Sequence, residues 1–385
     1  MPKIQKNADV VIIGGGVMGA STAYHLAIRG FKNILLLEKE PFFGTGATGR
    51  CAGGFRHQFN SDINIRLSQL SIEMIENFEQ EIGDKVFVKK NGYLFVLTDE
   101  KDIEVFKKSL LIQQNLGVKT QWLSGDEVRR ISFPCVFSDA IAGTYNLNDG
   151  IADPSSVVMG YIKSAISLGV VCITNCLAKN IILEKNKVQK LETNLGTVET
   201  EMIVNACGPW SATLGNGIGL KIPIFPKRRQ WFLTEKIPEI PNEFPFVIDF
   251  SKSLYFHKEG EGILTGMSNH NQEIGEDQSI DYLWEENHIE AAVERMPVLS
   301  KIGIKARQAG LYELTPDAHP IIGNTPIKGF FILSGFSGHG FMHGPICGKL
   351  MSEIIIDGKA TSLDISMLDY NRFIENRLIL EYNVI

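Results

Sequence analysis

The chain opens on an uninterrupted apolar run, Val10, Val11, Ile12 and Ile13. Four β-branched residues in a row suit a strand covered on both faces, where polar and apolar positions no longer alternate. Glycines at 14, 15, 16 and 19 break the run. Residues 20–28 then read as a helix closed by Gly30. A second apolar stretch at 34–37 stops at Glu38. Strand, glycine turn, helix and strand make a βαβ unit, which predicts a doubly wound parallel sheet.

Further along, Ile63, Leu67, Leu70, Met74 and Phe78 keep a helical period. Residues 93–97 read as a strand and 101–116 as a helix. The turn at 149–154 leads into a helix over 157–168. Runs at 170–174, 181–184 and 188–193 predict a meander, and 201–206 another buried strand that ends in Cys207-Gly208-Pro209-Trp210. From 222 to 309 the pattern is short strands with prolines and turns, plus one helix over 283–295. Residues 330–334 return to a buried strand, followed by Gly335-Phe336-Ser337-Gly338-His339-Gly340 and a helix to about 357. The α/β pattern therefore surrounds an inserted unit. The expected fold is a discontinuous Rossmann-like domain made of 1–85, 150–215 and 320–385. The second domain, made of 86–149 and 216–319, is a mostly antiparallel β-sheet with helices (α+β).

Composition narrows the classes. A net charge of −6 gives no reason to expect nucleic acid. With 385 residues, 44% of them hydrophobic and 21% charged, the chain has the make-up of a globular protein of two or three packed units. The six cysteines lack paired CxxC spacing, so they read as reduced thiols of a cytoplasmic protein and no metal site is expected. The apolar run at 8–18 is too short to span a bilayer and is broken by glycines, so no transmembrane segment is expected.

The sharpest local signal is Gly14-Gly15-Gly16-Val17-Met18-Gly19, a GxGxxG turn between a strand and a helix. Gly14 allows the tight turn, Gly16 lets a diphosphate approach the backbone, and Gly19 lets helix and strand pack closely. The free N–H groups at the helix start then face the phosphates. Glu38 follows Gly19 at the distance expected of a ribose-binding carboxylate. The turn alone does not separate FAD from NAD.

Four stretches together point further. They are the Gly14 turn with Glu38, the glycine-rich loop 44–54, Val204-Asn205-Ala206-Cys207-Gly208-Pro209-Trp210-Ser211, and Thr315-Pro316-Asp317-Ala318-His319-Pro320-Ile321-Ile322-Gly323 followed by 335–341. In this order they resemble the D-amino-acid oxidase superfamily of flavoenzymes over nearly the full chain. Within it the sequence looks most like sarcosine oxidase β-subunits, glycine oxidase and dye-linked L-proline dehydrogenase β-subunits. The resemblance implies FAD, held by the Gly14 turn with Val17 and Met18, by Glu38 and Lys39, and by Gly46, Thr48 and Arg50. It also implies Ala178 at the adenine, Gly208, and the turn Gly338, His339, Gly340, Phe341 and Met342 beside the flavin.

The reaction implied is oxidation of a small amino acid at its C–N bond, with a hydride passing to flavin N5. A substrate carboxylate calls for an arginine. Arg56 matches the family's carboxylate arginine, the alternative being a salt-bridged structural role. Tyr255 and Tyr312 match strands lining the substrate cavity, the alternative being core packing. The family's thioether cysteine is matched by Gly310 and its loop histidine by Arg50, so non-covalent FAD is expected. The oxygen-assisting lysine is matched by Leu264 and a second family lysine by Met342, which favours a dehydrogenase over an oxidase and a pocket with fewer cations. Two rival readings stay open. One is an FAD-dependent oxidoreductase of a 2-hydroxy acid or glycerol phosphate. The other is a flavin-holding electron-transfer subunit with a partner subunit as acceptor.

Overall fold

A computed structural model describes residues 4–384. Strand β1 (Val10–Ile13) lies in the interior of a six-stranded sheet. It pairs in parallel with β2 (Ile34–Leu37) on one side and Ile203–Asn205 on the other. The strand Phe330–Ser334 adds a further parallel neighbour, and Ile321–Asn324 closes that edge antiparallel. Every residue of β1 and β2 is buried, as an unalternating apolar run requires.

The opposite edge corrects one expectation. Val171–Ile173 is not the first strand of the meander. It pairs in parallel with β2, Leu35 opposite Val171. The meander is instead Ala178–Glu184, Lys187–Thr193 and Gly196–Glu199, a separate antiparallel sheet. A run of apolar residues shows that a strand forms; its partner is chosen by the helix Pro154–Ser167, which delivers Val171 beside β2.

Helix α1 (Val17–Ile28) lies against the long helix Gly340–Asp357. Their closeness depends on small residues. A Cβ on Gly344 would sit 2.5 Å from Val17, and one on Gly348 would sit 2.3 Å from the Ser21 hydroxyl.

The eight-stranded sheet runs in the order Ile304–Leu314, Phe225–Thr234, Gly262–Met267, Leu254–Glu259, Phe246–Asp249, Tyr93–Leu97, Ala142–Asn146, Gln121–Ser124. All its pairings are antiparallel except that of Phe246–Asp249 with Tyr93–Leu97. Its two faces differ. Leu94, Val96, Phe232, Val247, Phe256 and Ile263 pack into a closed apolar core. The alternate residues, which a period of two sends to the other side, include Tyr93, Phe246, Tyr255, Arg229, Trp231 and Tyr312, and these face a cavity. No helix among the described residues is long and apolar enough to cross a membrane.

Candidate active site

The Gly14 turn forms one wall of that cavity. Gly14 has φ +112°, and a Cβ there would lie 2.2 Å from the Ala206 carbonyl oxygen. Gly19 stands behind the turn, where a Cβ would meet the Gly14 carbonyl at 1.9 Å. Gly16 differs, since a Cβ would find the Thr48 hydroxyl at 3.1 Å and nothing else within 4 Å. Its open side faces the cavity. Helix α1 has no side-chain cap and no acidic residue in its first turn. An uncapped helix start of that kind suits an anion. Glu38 is fixed by two backbone donors, Gly15 N–H at 2.8 Å and Glu40 N–H at 2.9 Å. Lys39 pairs with Glu40 and lies 4.2 Å over the Trp210 ring.

The cavity, about 380 Å³, is also lined by Ala178, Gly46, Thr48 and Arg50. Thr48 Oγ1 accepts from Val17 N–H at 3.2 Å, tying the two glycine loops together. Arg50 donates to the Thr45 and Ala309 carbonyls at 3.1 and 2.8 Å, so its side chain braces the loop against the large sheet. Gly208 has φ +54° and Gly338 φ +98°. A Cβ on Gly338 would press into the Tyr312 ring at 2.3 Å. His339 precedes and Gly340, Phe341 and Met342 begin the last long helix, and all four line the cavity together with Val17 and Met18. Every residue expected at the cofactor except Gly19 lines this one cavity.

Arg56, Tyr255 and Tyr312 line it too. Arg56 is buried, stacks on Phe59 with its guanidinium carbon 3.9 Å from the ring, and donates to the Gln58 and Asn383 carbonyls. Among the described residues no carboxylate lies within 4 Å of it. A structural arginine in a salt bridge would have one. Burial pulls its pKa down, but an arginine stays charged. The phenols of Tyr255 and Tyr312 are pushed up by burial, so both stay neutral and can donate a hydrogen bond. Burial, with repulsion from His343 and Arg56, holds His339 well below the usual histidine range, so its ring is neutral. His57 is not part of the wall, and its Nδ1 lies 2.6 Å from Asp149.

Several wall residues escaped the sequence reading, among them Arg229, Glu313 and Val384. Arg229 sits on Phe225–Thr234, and its alternation with buried Pro226 and Phe232 was the available signal. Glu313 is buried, accepts from Gly335 N–H at 2.9 Å, and burial pushes it up to about 7. Val384 arrives from the end of the chain, held by Glu381, which accepts from Asn60 and Ser61. Leu264, the counterpart of the oxygen-assisting lysine, is buried and is not part of the wall. The pocket is thus more cationic than Leu264 and Met342 suggested, because Arg229 supplies a charge from another strand.

The chain matches the family described as FAD dependent oxidoreductase, DAO, over residues 9–354. It belongs to that family. The mitochondrial sarcosine dehydrogenase of Mus musculus is 30% identical across 97% of this chain and 43% of its own length. A protein of Xenopus laevis named FAD-dependent oxidoreductase domain-containing protein 1 is 29% identical across 99% of this chain and 85% of its own. This chain therefore spans less than half the length of the sarcosine dehydrogenase. Among solved structures, the L-proline dehydrogenase from P. horikoshii superposes with a TM-score of 0.89 at 31% identity, covering 98% of this chain and 100% of that one. Glycine oxidase from Geobacillus kaustophilus, at 22% identity and a TM-score of 0.85, covering 96% and 99% of the two chains, shares the fold.

The wall of this DAO-family oxidoreductase fits FAD. Gly16 leaves open a space that any side chain would fill, the start of α1 is free of acidic residues, and the groove is long enough to take in both glycine loops and the Gly338 turn. Gly14, Gly16, Val17, Met18 and Thr48 would hold the diphosphate, Glu38 and Ala178 the adenosine end, and the turn Gly338 to Met342 the flavin.

Proposed function

We propose that the protein oxidises the C–N bond of a small amino acid, such as sarcosine, proline or glycine, using non-covalently bound FAD. The observation that carries this reading is Arg56, a buried guanidinium on the cavity wall with no carboxylate within 4 Å among the described residues. An uncompensated buried charge is costly, and a substrate carboxylate supplies the missing partner through paired charge-assisted hydrogen bonds. Phe59 and the Gln58 and Asn383 carbonyls hold the fork in one orientation. Tyr255 and Tyr312 shape the pocket and offer neutral donors. Bound FAD would supply the two-electron acceptor for the hydride lost from a carbon bonded to the substrate nitrogen. Residues 1–85, 150–215 and 320–385 would carry the cofactor and 86–149 and 216–319 the substrate.

Non-covalent attachment is supported by Gly310, which has no thiol and whose Cβ would lie 2.9 Å from that of Arg50. Cys51 lines the cavity, and burial pushes its thiol up to about 11, keeping it protonated. Acid precipitation should leave the yellow colour in the supernatant. Arg229 weakens the case for a dehydrogenase made from Leu264 and Met342, so oxygen uptake during turnover separates a dehydrogenase from an oxidase. A transfer of electrons to a partner subunit is compatible with either outcome. The six unpaired cysteines favour a reducing compartment, the cytoplasm.

A 2-hydroxy acid is the second reading, favoured by one observation. The buried Nε2 of His339, a neutral ring, has no protein partner, so it is free to hydrogen-bond a substrate hydroxyl. The deciding experiment is anaerobic reduction of the holoenzyme with sarcosine, proline, glycine, D-alanine and 2-hydroxyglutarate. Bleaching by an amino acid supports the proposal. Bleaching by the hydroxy acid alone refutes it, and bleaching by none points to an electron-transfer subunit.

A further inference from the structure

Besides Arg50, which braces the glycine loop, and Arg56, the large sheet places a third guanidinium in the cavity. In the register of its strands, Arg229 is opposite Gly310, Lys227 opposite Tyr312, and Trp231 opposite Gly266, which is itself opposite Tyr255. Directly opposed residues share a face. Arg229 therefore projects with Trp231, Tyr255 and Tyr312 toward the cavity, and all four line it.

Its neighbour shows what the protein does with an arginine it means to neutralise. Arg228, on the other face of the strand, pairs with Asp277 at 2.9 Å and Asp281 at 3.0 Å. Arg229 has no carboxylate within 4 Å among the described residues. Its hydrogen bond is to the Arg228 carbonyl at 3.0 Å, and its buried Nε has no partner. The guanidinium lies over the Tyr312 ring, 5.2 Å from the centroid. Tyr312 feels both cations: Arg229 and Arg56 each pull its phenol down against the larger effect of burial. Glu313, the carboxylate of this part of the wall, is engaged with the Gly335 N–H.

Among the described residues, Arg56 and Arg229 thus act on one tyrosine in one cavity with no carboxylate within 4 Å of either. A monocarboxylic amino acid neutralises one of them. We propose that Arg229 is the anchor for a second acidic group of the substrate, which makes the preferred substrate an amino acid carrying an additional carboxylate. The inference rests on the amino-acid reading above, with Arg56 taking the first carboxylate and Arg229 deciding specificity.

The test uses the holoenzyme and non-reactive probes, read by the perturbation of the flavin absorption bands. Succinate and glutarate, each bearing two carboxylates, should bind about 10- to 100-fold more tightly than acetate and propionate, the gain expected of one additional charge-assisted contact. Arg229→Gln should erase that preference, leave acetate binding within about 2-fold, and keep the FAD content of the wild type. Arg229→Lys should restore part of the preference, since it keeps the charge and loses the fork. The wild-type comparison stands if Arg229→Gln does not fold. Dicarboxylates binding no tighter than monocarboxylates would overturn the proposal. Equal weakening of acetate and glutarate in Arg229→Gln would mean that both arginines grip one carboxylate, and loss of FAD would mean that Arg229 serves the cofactor; either result also overturns it. In an anaerobic panel, N-methylaspartate and glutamate should bleach the flavin at lower concentration than sarcosine and glycine. If sarcosine bleaches and neither dicarboxylate does, this inference alone fails; if no amino acid bleaches, the amino-acid reading itself fails.

Discussion

Two alanine substitutions in one turn should have opposite consequences. At Gly19 a Cβ would stand 1.9 Å from the Gly14 carbonyl oxygen, where ordinary contact begins at 3.4 Å. The start of α1 and the end of β1 would have to part by about 1.5 Å, the difference of those distances, and both are backbone. Overpacking of that kind costs about 1–3 kcal/mol. Gly19→Ala should therefore lower the stability of the apoprotein and distort the site with it. At Gly16 the backbone is extended, with φ −78°, and the nearest atom to a new Cβ is the Thr48 hydroxyl at 3.1 Å. The fold should tolerate the methyl within about 1 kcal/mol, the scale of an N-cap change. The methyl would instead occupy the approach of the diphosphate. Losing one charge-assisted hydrogen bond, worth about 1.5–3 kcal/mol, weakens FAD binding by about 10- to 100-fold. Denaturant titration of the apoproteins and fluorescence titration with FAD separate the two effects. Wild-type FAD affinity in Gly16→Ala, or unchanged stability in Gly19→Ala, would refute this account of the turn.

Arg56→Lys keeps a charge but loses the fork and the stacking on Phe59; KM for the amino acid should rise roughly 10- to 100-fold with FAD content unchanged, measured by steady-state kinetics. Asp317 and Arg372 are fully buried partners at 2.8 Å, and Asp317→Asn should cost about 3–5 kcal/mol, read as a lowered denaturation midpoint. Burial raises Asp317, but the Arg372 hydrogen bond and charge outweigh it and hold the carboxyl below its usual range. The stability it contributes should thus be present above the ordinary aspartate pKa of 3.8 and be lost as the pH falls below it. Glu313 has the opposite sign. Burial lifts it from 4.5 to about 7, so between those values the unfolded chain ionises first and stability falls as the pH rises. With 2.5 units of difference at 1.36 kcal/mol each, the loss is roughly 3 kcal/mol, complete above pH 7. Apoprotein melting from pH 4.5 to 8 should show that slope, and Glu313→Gln should flatten it.

The sequence by itself determined the βαβ unit and its turn, because those features are local. Glycines at 14, 16 and 19 and the apolar runs at 10–13 and 34–37 obey steric and burial rules that act within a few residues. The resemblance carried by the four motifs also raised the expectation of Arg56, Tyr255 and Tyr312 at the substrate and the Gly338 turn at the flavin, and the structure brings all of them to one cavity. Only the tertiary structure decided the rest. Val171–Ile173 joined the parallel sheet because a helix set it beside β2, a choice invisible in three apolar residues. Arg229 became a cavity residue through strand register, since a period of two gives alternate faces and packing chooses which of them meets the site. Its neighbour Arg228 is the same residue type one position earlier, and it is neutralised on the opposite face by aspartates about 50 positions away. Which charges are left without partners depends on such long-range pairings, and those exist only once the sheets have assembled.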